Sequence, residues 1–173
     1  MSLKNVGIGK KAPEVVNVVI EIPRGQLKNK YEVDKDTGAV FLDRVNNVAF
    51  GYPYDYGYVP DTLCDDGDPL DALVIIDEPL FPGVVVPCRA IGMVRMVDDG
   101  EGDEKLICVP VKDSTKDYLT EVDQLGDTFK KYIEHFYTHY KDWKNDWTGV
   151  DVHFDGWTDA AGAREHIAKT RTS

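Results

Sequence analysis

β-Branched and aliphatic residues along the first two thirds of the chain fall into short runs, each closed by a turn. Residues 15–22 form one such run, ended by Pro23 and Gly25, and predict a strand. Residues 30–33 and 39–43 flank Asp36-Thr37-Gly38, which predicts a hairpin. Residues 72–76 read as a short buried strand, and 84–97 and 106–111 as two more. Between the last two lies Asp98-Asp99-Gly100-Glu101-Gly102-Asp103-Glu104, whose two glycines permit positive φ and predict a hairpin loop. The period then changes. Leu125, Phe129, Ile133, Phe136 and Tyr140 recur three and four apart, which predicts an amphipathic helix over 123–142. A second, shorter helix is expected from Thr158, with Thr158 as its cap and 160–168 propagating it. Short strands followed by helices give a mainly β, α+β class: a small closed β-barrel with C-terminal helices packed outside.

With 173 residues and 42% hydrophobic content, residues 1–173 are expected to form a single domain. No stretch approaches the length of a membrane-spanning helix, and the first residues lack the apolar run of a signal peptide. The formal net charge of -11 argues against nucleic acid or an anionic membrane as partner. Cys64, Cys88 and Cys108 cannot all pair within one chain and show no CxxC spacing, which reads as reduced thiols in a cytoplasm.

The acidity is concentrated. In Asp65-Asp66-Gly67-Asp68-Pro69-Leu70-Asp71 the glycine and proline force a tight, non-helical path on which Asp66, Asp68 and Asp71 can converge. Asp98, Asp99 and Asp103 form a second acidic group at strand ends. If the two loops share a barrel mouth, five or six carboxylates face one another. Two carboxylates about 5 Å apart repel by about 3 kcal/mol at an effective dielectric near 20, so such a cluster calls for cations. Oxygen-only ligands select hard ions, magnesium first and manganese second. Alone, either loop is an ordinary solvated turn. A calcium loop starting at Asp66 fails on spacing, because its twelfth position is Asp77.

Basic and phenolic groups accompany the acids. Lys30 and Glu32 share a strand face, Arg44 lies on the neighbouring strand, and residues 52–58 hold four tyrosines. Lysine, arginine and tyrosine are phosphate donors. Acids for metals with cations for phosphate fit metal-assisted phosphoryl chemistry. His135 and His139 have zinc-compatible spacing, but the glutamate of the zincin motif is absent. No P-loop and no GxSxG elbow occurs, which removes support for Walker-type nucleotide binding and for serine hydrolysis. A single-strand nucleic-acid barrel would need a basic groove, and the net charge is wrong for it.

Taken in order, Val19-Ile20-Glu21-Ile22-Pro23, Lys30-Tyr31-Glu32-Val33-Asp34, the 52–58 segment, Asp66-Gly67-Asp68-Pro69-Leu70-Asp71 and His139-Tyr140-Lys141-Asp142 resemble bacterial family I soluble inorganic pyrophosphatases. The resemblance implies a five-stranded oligonucleotide-binding-like barrel and a cytoplasmic homohexamer of two trimers. It implies hydrolysis of pyrophosphate, delivered as a magnesium complex, to two phosphates with several magnesium ions. Calcium is expected to inhibit. By the same resemblance Asp66, Asp71 and Asp103 are ligands of the principal magnesium, with Asp71 bridging to a second metal. Asp98 is a ligand of a metal that arrives with substrate, and Asp68 accepts a proton from the attacking water. Lys30, Arg44, Tyr56, Tyr140 and Lys141 hold the phosphates, and Glu21, Glu32, Tyr52 and Lys105 complete the cavity. Asp99 stands where relatives often carry glutamate, and the 143–157 stretch is longer than the family pattern leads one to expect.

Overall fold

The computed structural model describes residues 3–147 and 151–172. In chain order the strands are β1 (Val16–Ile22), β2 (Asn29–Val33), β3 (Val40–Val45), β4 (Asp55–Tyr58), β5 (Asp71–Val74), β6 (Val85–Asp98) and β7 (Glu101–Pro110). Helix α1 (Gly126–His139), strand β8 (Val152–Asp159) and helix α2 (Ala160–Thr170) follow. Neighbouring strands run β1-β4-β5-β7-β6, and β6 pairs back onto β1, so five strands close a ring. All pairings within it are antiparallel except β5–β7. This is the expected barrel. The β2–β3 hairpin stands apart as a two-stranded sheet.

Strand β6 is long because it serves two sheets' worth of neighbours. Its first residues pair with β1 through Val16↔Cys88 and Val19↔Val85, and its second half pairs with β8 through Gly92↔Asp159 to Asp98↔Val152. Alternate residues of the strands feed two cores. Val18, Ile20, Ala72, Met93 and Leu106 pack with Ala163 and Ile167 of α2, while Leu73, Ile91, Val94 and Ile107 pack with Phe129, Ile133 and Phe136 of α1. The two helices thus cover opposite faces of the strands, as period-two burial requires.

Several boundaries differ from the sequence expectation. The acidic segment 98–104 is not a seven-residue loop: β6 and β7 run on until only Asp99 and Gly100 turn the chain, with φ of 51° and 84°. Two consecutive residues at positive φ make the Asp-Gly pair a tight hairpin turn. Asp103 therefore sits within β7, opposite Met96. Helix α1 is shorter than 123–142, because Val122–Leu125 and Asp142–Asn145 are 3-10 turns. Helix α2 is capped by Asp159, whose side chain accepts from the Gly162 amide, rather than by Thr158. Strand β8 was not expected at all. Tyr137 is buried in the core against Phe136 and Tyr140.

Candidate active site

Three pieces of backbone bring the acidic side chains to one cavity of about 320 Å³. The first is the loop before β5. There the Asp68 amide donates to Oδ1 of Asp66 at 2.9 Å, and the Cys64 amide donates to the Asp68 carbonyl at 2.8 Å. These bonds fold 64–68 back on itself and leave Asp71 at the start of β5. The second is β7, where Glu101, Asp103 and Lys105 share a face by period two. The third is the end of β6, which supplies Asp98 beside the turn. Because β5 and β7 are parallel with Asp71 opposite Lys105, the two acidic segments meet across one strand pair.

The opposing wall is basic and phenolic. Lys30 and Arg44 are paired across the hairpin, Lys30 bonding Asp43 at 2.8 Å while Arg44 Nε donates to the buried Asn46 side chain at 2.9 Å. Tyr140 and Lys141 close the wall from the end of α1, and Tyr56 rises from β4. Asp66, Asp68, Asp71, Asp98, Asp103, Lys30, Arg44, Tyr56, Tyr140, Lys141 and Lys105 all line this one cavity.

Three expected residues lie behind its wall. Tyr52 is buried beneath it, its ring 5.5 Å from that of Tyr56 and 6.4 Å from that of Tyr140. Glu21 and Glu32 line a smaller adjoining cavity of about 120 Å³, which shares Lys30, Tyr56, Asp68 and Asp71 with the first. Glu21 sits at a register shift of β1 and accepts the Val33 amide at 2.8 Å, which ties the barrel to the hairpin. Burial pushes its carboxyl up to about 7, against the Val33 hydrogen bond that favours the charged form.

The carboxylates do not face one another bare, as the sequence suggested. Lys105 donates to both Asp71 and Asp103, and Lys141 donates to Asp98. Burial opposes the charge on Lys105, but Asp71 and Asp103 more than offset it and hold the amine well above the usual lysine range. Among the described residues no three His, Cys, Asp or Glu side chains are gathered, as they stand, into a metal cage. His139 is drawn to Asp142, Nδ1 to Oδ2 at 2.9 Å, and the His135 ring lies 6.0 Å from that of Phe50 and 4.7 Å from that of His139. The three cysteines are free. Residues the sequence reading missed are Glu101 and Gly102 in the wall and Asn46 behind Arg44. Alternation with Asp103 and Lys105 was the available signal for Glu101. Nothing local marks Asn46.

A family model described as inorganic pyrophosphatase matches residues 18–173. The chain belongs to the inorganic pyrophosphatase family. An inorganic pyrophosphatase of Xanthomonas campestris is 45% identical over 172 residues, covering 98% of this chain and 95% of its own. One from Yersinia pestis is 46% identical over 169 residues, covering 96% and 95%. The crystal structure of inorganic pyrophosphatase from Thermus thermophilus superposes with a TM-score of 0.90 at 44% identity, over 98% of this chain and 97% of that one. The barrel with its C-terminal helices is therefore the fold of the inorganic pyrophosphatases, and the cavity sits where its parallel strand pair begins.

Proposed function

We propose that this chain hydrolyses inorganic pyrophosphate to two phosphates with magnesium-activated water and no covalent intermediate. The observation that carries the reading is the division of one cavity into a carboxylate wall and a cationic, phenolic wall. The donor set fits a hard divalent cation. Asp66, Asp71, Asp98 and Asp103 offer carboxylate oxygens only, and Oδ1 of Asp98 is buried without a hydrogen-bond partner among the described residues. Magnesium, or manganese in its place, would neutralise phosphate charge there and lower the pKa of the attacking water. Calcium, with longer bonds and looser geometry, is expected to bind and inhibit.

The chain's own residues divide the remaining work. Asp68 accepts the proton of the attacking water, its loop held by backbone bonds that do not involve its carboxylate. Arg44, Lys141 and Tyr140 hold one phosphoryl group, and Lys30 with Tyr56 holds the other. Asn46 fixes Arg44, so the guanidinium meets the substrate already oriented. Glu21, Glu32, Tyr52 and Lys105 support the cavity from behind and beneath.

The same reading places residues 1–173 in one domain, acting in the cytoplasm as a homo-oligomer, a hexamer of two trimers. It assigns no nucleic-acid or membrane partner. Among the described residues no helix is long and apolar enough to cross a membrane. The test is phosphate release from pyrophosphate and from ATP, each with and without magnesium. Release from pyrophosphate that needs magnesium supports the reading. Equal rates on ATP, or full activity in excess chelator, overturn it.

A further inference from the structure

In the cavity wall one lysine is almost fully enclosed. Lys105 is 3% exposed. Its ammonium lies 5.5 Å from the ring centroid of Tyr137 and 5.7 Å from that of Tyr56, and it donates to Asp71 and Asp103 at once. Two carboxylates and two aromatic faces around one ammonium form a cage, an arrangement that holds a cation in a dry site. Tyr56 also lines the cavity, so it has a second use. Tyr137 has none. It is 1% exposed, and its hydroxyl is buried with no hydrogen-bond partner among the described residues.

We propose that Lys105 is a tethered internal cation occupying the position between Asp71 and Asp103 that a divalent ion would share, and that Tyr137 is the positioning residue that holds it there. This inference rests on the ligand roles proposed above for Asp71 and Asp103. Each magnesium ion that engages these carboxylates must then displace or share the lysine, so the cage sets the metal affinity from below. A stronger cage makes a weaker site. The lysine also keeps two half-buried carboxylates compensated whenever no ion is bound. The device would tune the site to respond to magnesium near its working concentration rather than to hold it permanently.

The experiment is calorimetric titration of the folded protein with magnesium alone, without pyrophosphate, so the readout is independent of turnover. Asp71→Asn serves as the reference for the ligand reading. Wild type that binds no magnesium, or binding that Asp71→Asn leaves intact, overturns the ligand roles and this inference with them. Given binding that Asp71→Asn weakens, Tyr137→Phe keeps the aromatic face and is expected to stay within about twofold of wild type. Tyr137→Leu removes the face and is expected to bind about three- to tenfold more tightly, as loss of a desolvated cation–π contact implies. Leucine changes the packing of the core, so a second series replaces Tyr137 with phenylalanines of rising fluorine content, which weaken the face at nearly constant volume. Affinity should then rise stepwise with fluorination. Unchanged or weaker affinity across the fluorinated series overturns the proposal.

Discussion

Asp68 and Glu21 are both carboxylates beside the same cavity, yet their surroundings give them opposite tasks. Asp68 is exposed, and its loop is fixed by its own amide and carbonyl. Asparagine there preserves shape and loop but accepts no proton. Asp68→Asn is expected to lower kcat about 10²- to 10⁴-fold at saturating magnesium, with the melting temperature unchanged. A rate within about threefold of wild type would remove Asp68 from the role of base. Glu21 is buried, with its pKa raised from 4.5 to about 7. The folded state therefore binds the extra proton, and stability falls as pH rises from about 4.5 to about 7. Glutamine mimics the protonated form and can still accept the Val33 amide. In chelator, Glu21→Gln should match wild type near pH 4.5 and exceed it by about 3 kcal/mol at pH 8 in urea unfolding. A gap independent of pH would show that the carboxyl is ionised throughout. The motif order gave away the acids and phosphate donors of this cavity. The pairing of Asp71 with Lys105 was hidden because it depends on the β5–β7 register, and that of Asp98 with Lys141 because it depends on how the end of α1 meets the end of β6.

At the scale of elements, legibility followed periodicity. Strand β1 is a continuous β-branched run, the β2–β3 hairpin is marked by its turn and α1 carries a 3.6-residue pattern, and each was found near its expected place. Strand β8 was missed because its alternation is broken. Its register against β6 shifts between Val94 and Met96, around Gly156 at φ 91°, with Arg95 donating to the Asp155 carbonyl at 2.9 Å. A bulge of that kind erases the period the eye looks for. The acidic turn was overdrawn for a related reason: polar residues on the cavity face of β7 look like loop when only sequence is seen. Close approach of strands is equally silent in sequence. A Cβ on Gly57 of β4 would lie 2.0 Å from the Val19 carbonyl oxygen of β1, whereas one on Gly100 would meet nothing within 4 Å. Gly57→Ala must push two paired strands apart and is expected to cost at least about 3 kcal/mol. Gly100→Ala pays only for its positive φ, about 1 kcal/mol. Equal urea midpoints for the two variants would refute the distinction between crowding and backbone conformation.

At the scale of the whole molecule, the placement of exposed apolar side chains calls for a physical reason. Val40, Phe41, Leu42 and Val45 of β3 are all exposed, with Leu27 beside the hairpin. Scattered apolar residues need no explanation, but several along one strand mark a surface that is covered in use. A two-stranded hairpin is also marginal on its own. This hairpin holds Lys30 and Arg44, which the proposed chemistry needs fixed to a fraction of an ångström. A second copy of the chain seated against β3 would bury these side chains and stiffen the hairpin together. Light scattering at micromolar concentration is accordingly expected to give a mass several times the 19.4 kDa of one chain. Leu42→Glu places a charge among them and should shift the mass toward smaller species. The same variant should raise KM for pyrophosphate several-fold and lower kcat less, because Lys30 and Arg44 are loosened while Asp68 and the carboxylates stay on the barrel. Unchanged mass in Leu42→Glu would move the interface elsewhere. Altered mass with unchanged KM would separate assembly from the hairpin's hold on phosphate, leaving the Glu21–Val33 bond and the Arg44–Asn46 bond as sufficient supports for the site.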